Sequence, residues 1–185
     1  MDELVQLMEQ LRTHLPVGWE QLPDFPLYMD QVLSYMDRQV LRFEDDDGLT
    51  AAMVNNYTKG GLLPRAEGKK YNQEHLAYLT VICILKRVMS TKDMGVTLEA
   101  QLHQQPSVQA GYDRFRASLS EAMNRIADEM ERFPEEEQVA DAAVRFALMS
   151  YAAGLASSYY VARLRETTPA PTRNKKASKA KKEEP

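Results

Sequence analysis

Residues 49–89 read LTAAMVNNYTKGGLLPRAEGKKYNQEHLAYLTVICILKRVM, and this stretch predicts two helices joined by a short loop. Thr50 can cap the first helix, about Ala51 to Lys59, because its hydroxyl accepts a backbone N–H that lacks a partner in the first turn. Gly60-Gly61 then ends that helix, since glycine adopts positive φ at little cost. The second helix is apolar on nearly every side from Leu76 to Met89, which predicts a buried central helix.

The loop between these helices is both irregular and basic. Residues 62–71 lack helical periodicity and contain Pro64 and Gly68, which predicts a short loop or a small β-hairpin. Asn72 follows it as a candidate N-cap for the second helix.

Charge is unevenly distributed along the 185 residues, although the net charge is only −4. Residues 49–92 carry net +5, whereas residues 1–48 carry net −8 and residues 93–168 carry net −5. A basic block in an acidic protein is typical of a surface that meets phosphates. The same pattern also fits a solvated face whose cations neutralise acidic neighbours in the fold.

The flanking sequence predicts further helices and no extended sheet. On the N-terminal side, apolar spacing of three and four predicts helices over residues 2–15 and 27–43, separated by a proline-rich connector around Trp19. The run Glu44 to Asp47 should end the second of these. We therefore assign residues 1–26 to an N-terminal helix and connector, and expect an all-α fold.

The C-terminal side predicts a short helix over residues 92–103 and then a pair of long helices, 107–133 and 135–165. Pro134 separates the pair, and the acidic residues 135–137 suit the N-terminal end of the last helix. We assign residues 106–166 to a C-terminal helical hairpin and residues 167–185 to a disordered, lysine-rich tail.

The last predicted helix has two apolar faces. One carries Phe146, Met149 and Ala153, and the other carries Leu148, Tyr151 and Leu155. Two apolar faces need two partners, so we predict a homodimer through residues 107–165. The alternative is that the N-terminal helices cover the second face.

Several classes of protein are disfavoured. The single cysteine, Cys83, excludes a disulfide scaffold, and His14, His75 and His103 are too dispersed for a metal site. No catalytic or nucleotide-binding fingerprint is present, so we expect no enzyme activity and no cofactor. The N-terminus lacks a signal peptide, and the uncharged run 146–162 falls short of a membrane span. These features predict a cytoplasmic protein without a membrane partner.

Residues 27–105 resemble the winged helix-turn-helix module of the MerR-type transcriptional regulators. In that family a recognition helix that ends in a tyrosine-rich stretch precedes G-L-L-P, a basic wing, R-x-Y and a helix that begins with an acidic pair and Leu. Here the corresponding positions are Tyr57, Gly61 to Pro64, Lys70-Tyr71 and Glu74 to Leu76. The resemblance implies a MerR-like module that binds double-stranded DNA. The recognition helix here carries Asn-Asn-Tyr where that family usually has Arg-Tyr-Tyr.

A second resemblance covers roughly residues 19–165. The segments W-E-x-L-P at Trp19, L-Y-M-D-Q-V at Leu27 and V-N-N-Y-T-K-G-G-L-L-P at Val54 look like a bacterial family known only as a domain of unknown function. This resemblance implies family membership and no activity.

Together these features predict a DNA-binding transcriptional regulator. Asn55 and Asn56 would read adenine edges, Lys59, Arg65, Lys69 and Lys70 would neutralise phosphates, and Tyr71 would hold the wing to the core. The alternatives are that the two asparagines are merely exposed amides, and that the surface around residues 49–92 binds an acidic protein as a helical interaction adaptor. The predicted DNA-binding residues are Thr50, Asn55, Asn56, Tyr57, Lys59, Arg65, Lys69, Lys70 and Tyr71.

Overall fold

The central helix of the fold is α4 (Gln73–Leu85), so a buried helix is present where the apolar sequence predicts one. Its predicted end at Met89 is wrong, because residues 86–88 form turns and Val88 is exposed. The computed structural model describes residues 2–41, 48–103, 105–133 and 138–167. Every residue of α4 from His75 to Cys83 is buried, and the helix packs against helices on opposite sides of it. The side chain of Asn72 accepts the backbone N–H of His75 at 3.2 Å, so the predicted N-cap is confirmed.

Two shorter helices precede α4 in the chain, and the second of them leads into the basic loop. They are α2 (Met29–Met36) and α3 (Ala51–Lys59), and α2 packs against both α3 and α4. Val32 and Val54 are fully buried between these helices. Thr50 Oγ1 accepts the backbone N–H of Met53 at 3.2 Å, which confirms Thr50 as the cap of α3.

The predicted helix 27–43 is wrong at its C-terminal end, because α2 stops at Met36 and residues 37–40 form turns. The buried side chain of Gln39 accepts the backbone N–H of Val17 at 3.2 Å. This contact joins residue 39 to the connector just beyond the end of α2. The predicted helix end at 43 and the acidic residues 44–47 lie outside the described residues.

Three further helices are α1 (Asp2–Thr13), α5 (Thr91–Leu98) and α6 (Val108–Met130). Helices α5 and α6 pack against α4, and α1 packs against α6. A π-helical turn over Glu99–His103 continues α5 and packs against α6. Gly111 makes this close approach possible, since a Cβ atom at that position would lie 2.4 Å from the carbonyl oxygen of Gln101. The connector adds a 3₁₀ turn at Trp19–Gln21.

The last helix, α7 (Val139–Thr167), does not form the predicted hairpin with α6. The two helices meet near their adjoining ends, where the Phe133 and Phe146 rings are 6.4 Å apart edge to face. Further along, α7 packs on α5, and Arg165 pairs with Asp93. The hairpin prediction fails because α6 is occupied by α1, α4 and the π-helical turn.

The described residues are helical apart from turns and isolated β-bridges, so the all-α prediction is confirmed. By length and composition alone, α7 is also apolar enough to cross a membrane, which differs from the expectation for residues 146–162. The acidic residues 135–137 and the predicted tail from residue 168 onward lie outside the described residues.

Candidate nucleic-acid interface

The outer face of α3 is a single polar stripe. Ala52, Asn55, Asn56 and Lys59 are exposed, and their spacing of three and four places them on one side of the helix. Val54 and Tyr57 face inward and are buried. The helix therefore presents small and polar side chains outward while its apolar side is fixed in the core.

A Schellman motif ends α3 and turns the chain toward the basic loop. Gly61 has φ of +77°, and its N–H donates to the carbonyl of Thr58 at 3.2 Å. The N–H of Leu62 donates to the carbonyl of Tyr57 at 2.9 Å, which completes the motif. Leu62 and Leu63 are both buried, so the loop leaves α3 in a fixed direction.

The basic loop contains a tight turn over residues 67–70, which we call the wing turn. Gly68 and Lys69 have φ of +55° and +65°, and the N–H of Lys70 donates to the carbonyl of Glu67 at 2.9 Å. Positive φ at both central residues is the mark of a type I′ turn, which matches the twist of a β-hairpin. Of the two forms left open by the sequence, the hairpin-like one is present.

The wing turn is attached to the start of α2 and to α4. Leu27 and Tyr71 form an antiparallel bridge in which each N–H donates to the other carbonyl at 2.8 Å. Tyr71 is buried and lies edge to face on His75, with ring centroids 5.5 Å apart. The wing turn is therefore positioned by helices on two sides of it.

His75 supports this attachment as a neutral side chain. Its Nδ1 accepts the backbone N–H of Asn72 at 3.2 Å. Burial lowers the pKa of His75. The backbone carbonyl of Arg65 and the negative charges of Glu74 and Glu67 raise that pKa, but more weakly. The His75 imidazole thus links the end of the basic loop to the start of α4, and its burial favours the neutral form.

A groove of about 560 Å³ separates α3 from the wing turn. Lys59 lies on the helix side, while Arg65 and Lys69 lie on the loop side. Cations on both walls of one groove suit a polyanion that runs between them. The lining residues are Met29, Asn55, Thr58, Lys59, Arg65, Ala66, Lys69 and Tyr71.

The basic block of the sequence divides in space. Lys86, Arg87 and Lys92 follow the C-terminal end of α4, whereas the groove lies by its N-terminal end, about 20 Å away along a helix of 13 residues. Lys70 lies outside the groove lining, with Nζ 5.4 Å from the centroid of the Tyr28 ring. Within the described ranges, no ion pair engages Lys59, Arg65, Lys69 or Lys70.

The structure brings together some of the predicted DNA-binding residues and separates others. Asn55, Lys59, Arg65, Lys69 and Tyr71 line the groove, and Asn56 lies beside it on the outer face of α3. The Thr50 hydroxyl is used as a helix cap. Tyr57 is only 9% exposed and belongs to the core, which disagrees with its predicted role as a DNA contact.

Four residues of this surface were not predicted from the sequence. Ala52 and Thr58 could have been found from helical spacing, because they share a side of α3 with Asn55. Met29 and Ala66 had no local signal, since the Leu27–Tyr71 bridge brings α2 next to the loop. No cluster of His, Cys, Asp or Glu among the described residues could hold a metal ion.

The fold and the groove define an all-α protein with a basic cleft between an exposed helix and a tight β-turn. The chain belongs to the family called domain of unknown function DUF1836, which matches residues 17–115. The groove, α2 to α5 and the start of α6 lie inside that match, whereas α1 and α7 lie outside it. No curated protein and no solved structure matches the chain.

Proposed function

We propose that the protein is a cytoplasmic, DNA-binding transcriptional regulator with a MerR-like winged helix-turn-helix. In this proposal α3 is the recognition helix and the wing turn is the wing. The observation that carries the proposal is the groove with Lys59 on one wall and Arg65 and Lys69 on the other, beside an exposed polar helix face. The resemblance of residues 27–105 to the MerR-type module supports the same assignment.

The outer face of α3 suits the major groove of DNA. A nine-residue helix is about 13 Å long, and the major groove is wide enough to admit it. Asn55 and Asn56 can each donate to and accept from one adenine edge, and Ala52 is small enough to meet a thymine methyl group. The buried Val54 and Tyr57 hold the helix so that these groups stay exposed.

The cations of the groove would neutralise phosphates and orient the module. Lys59, Arg65 and Lys69 have no carboxylate partner among the described residues, so binding DNA would not break an existing ion pair in that part of the chain. Phosphate contacts fix orientation without reading sequence. Sequence preference would then come from the outer face of α3.

The proposal is tested by selecting bound sequences from random duplex DNA and titrating the enriched site by fluorescence anisotropy. Replacing Asn55 or Asn56 by Ala should weaken binding to the preferred site by about 1–3 kcal/mol and leave non-specific binding unchanged. Gln6→Ala is the matched control, because it removes an exposed amide from α1, outside the groove. The proposal is refuted if selection enriches no sequence and the asparagine variants behave like the control.

A second candidate is an interaction adaptor that binds an acidic protein through the same groove. It is favoured by the charge of the remaining chain, which is net −8 over residues 1–48 and net −5 over residues 93–168 and would repel DNA. Poly-glutamate is a suitable probe. The adaptor is supported if poly-glutamate binds, Lys59→Gln weakens that binding, and duplex DNA of any sequence fails to compete.

A further inference from the structure

One face of α7 is apolar and exposed along most of the helix. We call Val144, Leu148, Tyr151, Leu155 and Tyr159 the outer stripe, and each of these side chains is between 58% and 66% exposed. The face that packs on the rest of the protein is different and includes the half-buried Phe146 and Met149 and the buried Val161. The rest of the described chain therefore leaves the outer stripe uncovered.

The order of residues in the outer stripe is nearly the same when read from either end. On the two sides of Tyr151 lie Leu148 and Leu155, and beyond them lie Val144 and Tyr159. The spacing of three and four is that of a helix seam that packs against a second helix. A second copy of the stripe running antiparallel would place Leu148 opposite Leu155, and Tyr151 opposite itself.

The charges at the two ends of the stripe fit the same arrangement. Asp141 lies three residues before Val144, and Arg163 lies four residues after Tyr159, so both continue the stripe. Between Phe146 and Ala162 there is no charged residue. In an antiparallel pair, Asp141 of each copy faces Arg163 of the other, whereas a parallel pair would place like charges together.

The surface beside Val144 is also shaped for a large side chain. A concavity of about 540 Å³ is lined by Phe133, Val144, Leu148 and Met149, among others. Tyr159 is the residue that an antiparallel copy would bring to Val144. An aromatic side chain that enters a pocket at a subunit contact is a typical anchor of binding energy.

We propose that the protein is a homodimer whose two-fold axis passes between two antiparallel α7 helices at Tyr151. The sequence predicts a homodimer through residues 107–165, and this proposal is more specific because it assigns the contact to the outer stripe of α7. It does not rest on the proposed DNA binding, because neither groove takes part in the contact. The interface is isologous, so each residue pair occurs twice.

Thiol cross-linking tests the geometry directly, in a Cys83→Ser background. Tyr151→Cys should form a covalent dimer with a short thiol-to-thiol cross-linker, and so should the double variant Leu148→Cys/Leu155→Cys. Leu148→Cys alone should give little cross-linking. In the antiparallel dimer, residue 148 of one subunit lies about 10 Å along the helix axis from residue 148 of the other. A parallel dimer would reverse this, because Leu148→Cys would then face itself, and that result would overturn the proposal.

Sedimentation velocity on the full chain tests the charges. The wild type should sediment at twice the 21.1 kDa chain mass, and Asp141→Arg should shift it toward monomer. Arg163→Asp should do the same, whereas Asp141→Arg combined with Arg163→Asp should restore the dimer. Asp141 and Arg163 are both exposed, so circular dichroism should be unchanged in all three variants. A 21.1 kDa species at tens of micromolar overturns the proposal.

A lipid surface is the other occupant that the apolar stripe could take. Co-sedimentation with vesicles of phosphatidylcholine and phosphatidylglycerol distinguishes a lipid surface from a second copy of the chain. Leu148→Glu/Leu155→Glu should convert the dimer to monomer, with no pelleting in either form. If instead the wild type is a monomer that pellets with vesicles, and the double glutamate variant stays in the supernatant, α7 meets lipid and the dimer is refuted.

Discussion

The most demanding consequence of the groove concerns the salt dependence of DNA binding. The perturbation is to remove its cations with Lys59→Gln, Arg65→Gln and Lys69→Gly, first one at a time and then together in a triple variant. Glycine is chosen at residue 69 because Lys69 has φ of +65°, which other side chains rarely adopt. The wing turn should therefore keep its shape while it loses its charge.

The expected magnitude follows from the number of groove cations. Each neutralised phosphate contributes about 0.9 to the slope of log K against log salt on duplex DNA. Removing all three side chains should flatten that slope by about 2.7 for each protomer bound. Between 50 and 200 mM salt, the affinity of the triple variant should then fall about 40-fold less than that of the wild type.

The assay is an anisotropy titration on a mixed duplex at four or more salt concentrations. Lys92→Gln is the matched control, since it removes one exposed positive charge beyond the far end of α4. Lys92→Gln changes the net charge as much as each single groove variant does, but it should leave the salt slope unchanged. Lys70→Gln should change the slope less than Lys69→Gly, because Lys70 lies over the Tyr28 ring and outside the groove.

Equal slopes for the triple variant and the wild type would refute the assignment of phosphate contacts to the groove. A slope that falls as much for Lys92→Gln as for Lys59→Gln would show that only net charge matters. In either case, sequence selection on the asparagine variants would still report separately on the outer face of α3.

Three further predictions concern the scaffold. Gly111→Ala should destabilise the protein by about 1–3 kcal/mol in chemical denaturation, because the new Cβ would meet the carbonyl of Gln101. Gly154→Ala is the control, because position 154 has open space around it and the helix should be slightly stabilised. Thr50→Ala removes the cap of α3 and should lower the free energy of unfolding by about 1 kcal/mol, with an unchanged value counting against the cap. Burial lowers the pKa of His75 in the folded protein, so on acidification His75 is protonated first in the unfolded chain. The free energy of unfolding should therefore fall as the pH drops below about 6.5. His75→Gln should lessen that loss. Chemical denaturation of the wild type and of His75→Gln at about pH 7.5 and 5.5 measures this loss of stability. An equal loss in the wild type and the variant would contradict a contribution from His75.

Local signals were sufficient to predict α3, the start of α4 and an irregular loop between them, but they left open whether that loop forms a turn of the hairpin type. The caps Thr50 and Asn72, and the glycines 60, 61 and 68, act through bonds to near neighbours, so their effect is visible in the sequence. The helix over 107–133 was likewise predictable from its apolar stripe, apart from its ends.

Long-range contacts explain what sequence analysis missed. Just beyond the end of α2, Gln39 bonds to Val17, 22 residues away in the sequence, and no local pattern indicates that contact. The part of the groove formed by Met29 depends on the bridge between Leu27 and Tyr71. The partners of α6 could not be assigned either, because an apolar stripe shows that a helix is covered without showing by which neighbour.

The contact between Val17 and Tyr112 has a consequence for how this domain can be combined with others. The Tyr112 hydroxyl donates to the Val17 carbonyl at 2.8 Å, and the match to the family runs from residue 17 to residue 115. The two ends of the matched segment therefore lie side by side. A segment whose ends meet can be inserted into a surface loop of another protein, or given a new helix at either end, without moving its interior. α1 and α7 are such additions here, and both lie outside the matched segment that contains the groove.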